Sequence, residues 1–222
     1  MKLEQLITAY NEAVFDTDRD KALELIHAAV NNGVSPEEVV FEVVIPAIEQ
    51  TVNAIGGKFE LNLAQHFMIS QIAAEVTEEM LPRFKTSPQI IGHIVIGTAQ
   101  GDLHSLGKRI VTGCLKAQMI AYTDLGVNVL PERFVDEVVA CQAQVIGISA
   151  MMVHTARGEN GCLRVRQILK TRGLEDKIKI IVGGAPYRFD QQLYKIVQAD
   201  AWAENGITAG KVIAELIKEV RQ

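Results

Sequence analysis

A carboxylate and an imidazole stand two residues apart in the segment Gly101–Arg109, directly after an apolar run at residues 90–97. The run is typical of a buried strand, so Asp102 and His104 belong to a loop at its carboxyl end, where open α/β sheets bind their ligands. In an extended loop the two side chains can point the same way, so that the carboxylate holds one ring nitrogen while the other binds a metal. One histidine is too few for a zinc site, which needs three or four protein ligands. It suffices for a metal that a macrocycle already holds.

Two later apolar runs end in residues that suit the same site. Val145–Ile148 leads into Ser149-Ala150-Met151, and the run at 178–182 leads into Gly183-Gly184. In a flavodoxin-like sheet of order 2-1-3-4-5, strands 1, 3 and 4 are neighbours at and beyond the point where the strand order reverses. All three strand ends would then line one crevice. The paired glycines would leave room there for a bulky group against the backbone.

The first 84 residues carry only helical patterns of apolar side chains. The segment Ser35–Glu38 combines a capping box with a proline at the first helical position, which predicts the start of a helix. Pro46 is expected to bend this third helix and Gly56-Gly57 to end it, and a fourth helix is expected at about 61–81. The sequence therefore predicts a four-helix bundle over residues 1–84.

The rest of the chain alternates short apolar runs with helical stretches. Residues 85–89 are the predicted linker, and residues 90–222 the predicted α/β domain. Strands are expected at about 90–97, 119–124, 144–149, 178–183 and 200–203, and helices at about 106–117, 131–141, 160–172, 189–197 and 207–220. Five such units predict a flavodoxin-like, Rossmann-type parallel sheet with helices on both faces.

The composition argues against several classes of protein. A net charge of −5 and an isoelectric point near 5.6 argue against nucleic-acid binding. Apolar runs are too short to span a bilayer and the N-terminus is unlike a signal peptide, so we expect a cytoplasmic protein without membrane contact. The three cysteines are widely spaced and are expected to be reduced thiols. Walker and G-x-G-x-x-G loops are absent from the sequence, and a carboxylate at Asp102 would repel the phosphate of a flavin nucleotide.

Taken together, the strand-end motifs resemble one known family. D-x-H-x-x-G stands at Asp102–Gly107, a variant of S-x-L at Ser149–Met151, and the glycine pair at Gly183-Gly184. In this order they are similar to the cobalamin-binding domain of methionine synthase, corrinoid methyl-carrier proteins and base-off mutases. The segment Ala199–Gly206 resembles the last strand and loop of that domain. Residues 1–84 resemble the four-helix cap that precedes it in corrinoid methyl carriers.

The resemblance implies a role for each matching residue. His104 would replace the dimethylbenzimidazole of the cofactor as lower cobalt ligand, Asp102 would hydrogen-bond its other nitrogen, and Ser149 would extend that relay. The relay would take up a proton when the ligand is released. The nucleotide tail of the cofactor would thread beside Ser149 and the glycine pair towards the last strand. The implied cofactor contacts are Asp102, Leu103, His104, Ser105, Gly107, Ser149, Met151, Gly183, Gly184, Ala201, Trp202, Ala203 and Glu204.

The function implied is that of a methyl carrier, which binds cobalamin, as methylcobalamin or a related corrinoid, with His104 on the cobalt. Its partners would be a methyltransferase specific for the methyl donor, a second methyltransferase for the acceptor, and a reductive activase. The alternative is a cobalamin sensor or storage module related to light-sensing regulators. Gln65-His66 resembles the Glu-His pair in their cap, but their tryptophan ten residues earlier is Ile55 here.

Several residues depart from the pattern of the family. Met151 replaces the usual leucine, and Ser105 stands where methyl carriers often have aspartate. Val153 and His154 stand where they often have threonines, so His154 is an additional imidazole that faces either solvent or the cofactor. A basic stripe is expected on one later helix, either as a solvated face or as a docking surface for a partner. It consists of Arg164, Arg166, Lys170 and Arg172.

Overall fold

The N-terminal part of the computed structural model is helical, as predicted. The structure describes residues 3–48, 63–85 and 89–221. The helices are α1 (Leu3–Phe15), α2 (Arg19–Asn31), α3 (Pro36–Glu38) and α4 (Leu63–Met80). Helix α3 continues as a π-helix over Val39–Val44 and a helical stretch at 45–48. A 3-10 turn at Leu81–Arg83 follows α4. The predicted helix end at Gly56-Gly57 lies outside the described residues, as does Ile55.

Local sequence explains how the third helix begins and then widens. The Ser35 hydroxyl accepts from the Glu38 N–H at 3.2 Å and the Glu38 carboxylate accepts from the Ser35 N–H at 2.9 Å, so the capping box is confirmed. Pro46 has no N–H, and in a regular α-helix its ring would press on the carbonyl of the residue four positions earlier. The turn before it widens instead, and the Ile45 N–H donates to the Val40 carbonyl five residues back.

The second part of the chain forms a five-stranded parallel sheet of order β2-β1-β3-β4-β5. The strands are β1 (Gly92–Thr98), β2 (Ile120–Asp124), β3 (Val145–Ser149), β4 (Lys179–Gly183) and β5 (Ala201–Ala203). The helices are α5 (Leu106–Ala117), α6 (Pro131–Ala140), α7 (Val153–Arg157), α8 (Cys162–Thr171), α9 (Ala185–Phe189), α10 (Leu193–Ile196) and α11 (Gly206–Arg221). The predicted fold class and strand order are confirmed.

One predicted helix is wrong. Instead of a single helix at 189–197, the chain forms α9 and α10 with a break at Asp190, whose backbone is extended. The Asp190 carboxylate accepts from the Gln192 N–H at 3.1 Å. Aspartate side chains bond to nearby backbone N–H groups in this way and so compete with helix formation. The short helix α7 was not predicted.

The strand register aligns four strand ends in one row. Thr98 at the end of β1 pairs with Ser149 of β3, Ser149 with Gly183 of β4, and Gly183 with Ala203 of β5. Because all strands are parallel, the loops that follow these residues leave the same edge of the sheet. The register therefore brings Ser149, Gly183 and Ala203, which were predicted from separate motifs, side by side.

Contacts along the chain divide it into two compact units, one of residues 1–89 with 113–119 and the other of residues 90–112 with 120–222. In the second unit, buried Val95, Ile146 and Ile180 of the sheet belong to one apolar cluster with Phe134 of α6 and Leu169 of α8. This cluster fixes the strands whose ends carry the site. The predicted linker stays a prediction, since residues 86–88 lie outside the described residues.

The basic stripe on α8 is paired with acidic groups. Arg164 lies 3.4 Å from Glu132 and Arg172 lies 2.7 Å from Asp136, so that two ion pairs join α8 to α6. Lys170 is 3.6 Å from Glu175. The fourth member, Arg166, is buried and bonds the Asp200 carboxylate at 2.5 Å. Each cation of the stripe thus has an acidic partner, and three of the four stay partly exposed to solvent.

The three cysteines are free thiols, of which Cys114 and Cys162 are buried and Cys141 is half-buried. Burial raises the pKa of Cys114 to about 12 and that of Cys162 to about 12. Among the described residues, none of the helices has both the length and the apolar composition needed to cross a membrane.

Candidate functional site

A buried carboxylate holds the imidazole predicted as the metal ligand. Asp102 is fully buried, and its Oδ1 accepts hydrogen bonds from the His104 N–H at 3.0 Å and from His104 Nδ1 at 2.9 Å. The His104 side chain is 55% exposed. A neutral imidazole that donates from Nδ1 carries its lone pair on Nε2. The geometry therefore orients His104 to bind a metal through Nε2, with Asp102 behind it.

The second oxygen of Asp102 identifies a residue that the sequence analysis missed. Oδ2 accepts from the Met151 N–H at 2.7 Å and from the buried Thr155 hydroxyl at 2.8 Å. Among the described residues, Thr155 rather than Ser149 supplies the hydroxyl bonded to Asp102, so the expectation that Ser149 extends the relay is wrong. Thr155 lies in α7, which brings it back towards the end of β1. In the sequence, the available sign of this contact was a hydroxyl side chain, Thr155, six residues after Ser149.

These contacts keep Asp102 ionised. Burial by itself raises the pKa of the carboxyl group. Hydrogen bonds from the His104 and Met151 N–H groups and from the His104 and Thr155 side chains outweigh burial, and the pKa falls from 3.8 to about 2. A carboxylate that stays charged at neutral pH holds the His104 ring in one orientation and one tautomer, as the partner of a metal-binding imidazole does.

The two glycines at the end of β4 have different physical roles. Gly184 has φ +118°, and a Cβ there would lie 2.0 Å from the Ala150 carbonyl oxygen. Only glycine therefore lets the chain after β4 pass so close to the chain after β3. At Gly183 the nearest atom to a built Cβ is the Ala203 carbonyl oxygen at 3.5 Å, an ordinary contact. Gly183 therefore leaves open space at the strand end, as expected for a site that receives a bulky group.

Apolar side chains are exposed around His104. Leu103 beside it is 70% exposed, and Met151 and Val153 in the loop after β3 are 47% and 59% exposed. The Met151 N–H contacts Asp102, which places this loop against that of His104. Exposed apolar side chains grouped around a polar centre mark a binding surface. A large macrocycle that carries a metal would fit these residues, with His104 as its protein ligand and the exposed apolar side chains against the ring.

Other predicted contacts occupy the edges of this region. Trp202 is half-buried against the apolar cluster of the sheet, and Glu204 lies 3.8 Å from Arg188. Gly107 is in the first turn of α5, with open space where a Cβ would lie, and Ser105 precedes that helix. His154 is exposed and lines a cavity of about 250 Å³ together with residues 100–101, 155 and 158–161.

Comparison with known proteins agrees with this geometry. The family model of the B12-binding domain matches residues 92–210. The dimethylamine corrinoid protein of Methanosarcina barkeri is 29% identical over 98% of this chain and 100% of its own length. The trimethylamine corrinoid protein of Methanosarcina barkeri is 33% identical over 84% of this chain and 86% of its own.

Solved structures share the fold. A cobalamin-binding protein from Desulfitobacterium hafniense DCB-2 superposes with a TM-score of 0.75 at 21% identity, covering 95% of this chain and 98% of that one. A chain of the methanol:cobalamin methyltransferase complex from Methanosarcina barkeri gives a TM-score of 0.74 at 23% identity, covering 96% and 80%.

Proposed function

The chain belongs to the family of B12-binding corrinoid proteins and its cofactor is a corrinoid; from this premise we propose that it carries a methyl group between two methyltransferases, with His104 as the lower ligand of the cobalt. Residues 90–222 are the proposed cobalamin-binding domain, and residues 1–84 the proposed helical cap. The observation that carries the proposal is the exposed His104 ring, held at Nδ1 by the buried and ionised Asp102.

The side chains of the site have three proposed roles. His104 would bind the metal, Asp102 orients its ring, and the hydrogen bond between the two holds a proton. When bound, the corrinoid supplies a cobalt atom that can accept a methyl group and release it. Asp102 keeps the Nδ1–H of His104 in place and selects a single tautomer, so that Nε2 would be the ring nitrogen that binds the metal. The proton on Nδ1 stays in the hydrogen bond between the His104 ring and the Asp102 carboxylate. Thr155 and the Met151 N–H keep the carboxylate charged throughout.

A methylated amine is the methyl donor that we propose. Curated relatives that match most or all of the chain are dimethylamine and trimethylamine corrinoid proteins. The proposed partners are accordingly a methylamine-specific methyltransferase and an acceptor methyltransferase that uses a thiol or a tetrahydropterin, with a reductive activase to restore the cofactor. The proposed compartment is the cytoplasm, where the three free thiols stay reduced.

The ligand assignment is tested with His104→Ala in protein reconstituted with hydroxocobalamin. Absorption is recorded in this Co(III) state, and electron paramagnetic resonance after one-electron reduction to Co(II), because Co(III) is diamagnetic. We expect loss of the absorption and electron paramagnetic resonance features of an imidazole-ligated cobalt. His154→Ala is the matched control, since it removes a nearby exposed imidazole, and its spectra should equal those of the natural protein. Unchanged spectra in His104→Ala would show that another group ligates the cobalt.

The carrier role is tested with holo-protein that is first reduced to the Co(I) state with titanium(III) citrate and then methylated by methyl iodide, which releases iodide. The methylated protein is mixed with an acceptor methyltransferase and a thiol or tetrahydrofolate. Loss of the methyl group from the protein, with the methylated acceptor as product, is the expected result. Loading by methyltransferases specific for methylamines, methanol and methoxy compounds then identifies the donor class. Retention of the methyl group with every acceptor, together with a change of oligomeric state in light, would favour a sensor instead.

A further inference from the structure

The main chain of Asp102 is held as firmly as its carboxylate. Its carbonyl oxygen accepts from the Thr98 hydroxyl at 2.6 Å and from the Asn128 N–H at 2.9 Å, and its own N–H donates to the Ala99 carbonyl at 3.0 Å. Asp102 thus has a partner at each of its polar atoms. Among the described residues, the His104 ring has Asp102 as its hydrogen-bond partner, so the position of the ring depends on the position of Asp102.

Asn128 makes three hydrogen bonds here, two of them to residues of the loop that carries His104. Its N–H is shared between the Asp102 carbonyl and the Thr98 hydroxyl, the latter at 2.9 Å, and its Oδ1 accepts from the Gly101 N–H at 2.7 Å. Asn128 has φ +53°, a left-handed conformation that asparagine adopts more readily than most side chains. The side chain is exposed, so burial does not explain why an asparagine is suited to this position.

The segment that carries Asn128, residues 124–129, also contacts the chain after His104. We call this segment the brace. Its first residue, Asp124, accepts from the ammonium group of Lys108, which is 3% exposed and lies one helical turn beyond His104. The Asp124 carboxylate also accepts from the Gly126 N–H at 2.8 Å, and the Gly126 carbonyl accepts from the Thr98 N–H at 3.1 Å. The brace therefore contacts the chain both before His104, at Thr98 and Asp102, and after it, at Lys108.

We propose that Asn128 is a positioning residue for the cobalt ligand. Through the main chain of Asp102 it would set how readily a competing ligand displaces His104 from the cobalt. The inference rests on the proposed function of His104. The bond from His104 to a metal would be directional, so the orientation of the ring matters. That orientation depends on one side-chain contact, from Asp102 Oδ1 to Nδ1 at 2.9 Å. A loop with more freedom at Asp102 would spend less time in the geometry that ligation requires, and the ligand would be easier to displace.

Cyanide measures this competition directly, because it displaces the lower ligand of a bound corrinoid with a change in absorption. The first variant is Asn128→Gly, which retains the N–H and the positive φ but loses the bond to Gly101. The second is Thr98→Val, which removes the hydroxyl between Asp102 and Asn128 at nearly constant volume, with Thr98→Ser as the variant that restores it. We expect the cyanide concentration at half-displacement to fall about five- to tenfold in Asn128→Gly and in Thr98→Val, the effect of about one net hydrogen bond.

Two controls separate positioning from general loss of stability. Gln142→Gly removes an exposed side chain at another left-handed residue, φ +55°, in the turn before β3, and should leave the cyanide midpoint unchanged. Thermal unfolding of each variant is measured in parallel, since a purely structural role would lower the melting temperature without moving the midpoint.

The outcomes distinguish this inference from the proposed function. If His104→Ala abolishes the cyanide transition while Asn128→Gly and Thr98→Val keep the natural midpoint, His104 is the ligand and the brace does not position it. A shift in Gln142→Gly as large as that in Asn128→Gly would overturn the inference as well. If the transition persists unchanged in His104→Ala, the proposed lower ligand is wrong.

Discussion

Replacing Thr155 by valine tests the hydrogen-bonded carboxylate at the centre of the site. Valine has nearly the shape of threonine, so the change removes a hydroxyl from a residue that is 4% exposed and adds little strain. The hydroxyl donates to Asp102 Oδ2 at 2.8 Å and lies 2.9 Å from the Met152 carbonyl. Asp102 would keep three of the four hydrogen bonds that lower its pKa.

The magnitude follows from the charge and burial of the acceptor. A hydrogen bond to an ionised group contributes about 1.5–3 kcal/mol, so we expect Thr155→Val to lower the free energy of unfolding by about 2 kcal/mol at pH 7. The loss should shrink in acid. The pKa of Asp102 is about 2 in the folded state, against an ordinary value of 3.8, so its ionised form stabilises the fold above pH 3.8, and this contribution is lost as the pH falls through about 2. Below that pH the protonated Asp102 gains little from the missing donor.

Urea unfolding of the cofactor-free protein, followed by the fluorescence of Trp202, measures this effect. Trp202 is the single tryptophan of the chain and lies in the α/β unit, so the signal reports the unit that holds the site. Thr155→Ser keeps the hydroxyl and should lie close to the natural protein. Equal stability of Thr155→Val and Thr155→Ser at pH 7, or a loss that is the same at pH 7 and near pH 2, would refute the reasoning.

Two more predictions concern the frame of the site. Gly184→Ala should lower the free energy of unfolding by about 3 kcal/mol or more, because the added Cβ meets the Ala150 carbonyl at 2.0 Å and φ is +118°. Arg166→Met should lower the free energy of unfolding by about 3–5 kcal/mol, because it leaves the Asp200 carboxylate without its buried cation. That carboxylate would keep its bond from the Ile180 N–H at 2.6 Å. Urea unfolding checks both.

Each of these variants has a control in the same unit. Gly183→Ala adds a methyl group where the nearest atom is 3.5 Å away, so stability should change little while corrinoid affinity falls. Arg172→Gln breaks an exposed ion pair, which should contribute less than about 1 kcal/mol. If Gly183→Ala destabilised the fold as much as Gly184→Ala, the assigned clash would be wrong. If Arg166→Met and Arg172→Gln had equal cost, burial of the Arg166 pair would be unimportant.

The elements whose signals are local were predictable from the sequence. Apolar runs locate the five strands to within about two residues, and the capping box at Ser35 marks the start of the third helix because all of its contacts lie within one turn. The motif residues Ser149 and Gly183 were expected at one edge because the strand order places them there, and the register makes them direct neighbours.

Contacts between distant loops were not predictable in the same way. Thr155 meets Asp102 across 53 positions, and this depends on α7 turning back after β3. Asn128 looks like an ordinary turn residue in the sequence, and its two bonds to the Asp102 loop depend on how β2 pairs with β1. The break at Asp190 was missed because periodicity does not report a competing hydrogen bond from a side chain.

Burial of two thiols limits which atoms of the chain can react with electrophiles. With a pKa of about 12, the Cys114 and Cys162 side chains have about one thiolate in 10⁵ molecules at pH 7, and the thiolate is the form that attacks alkylating agents. A protein proposed to pass methyl groups between partners thus offers few sulfur nucleophiles of its own to intercept them. Cys141, half-buried at the end of α6, is the accessible thiol of the three. A maleimide dye should therefore attach at this one position in the natural chain.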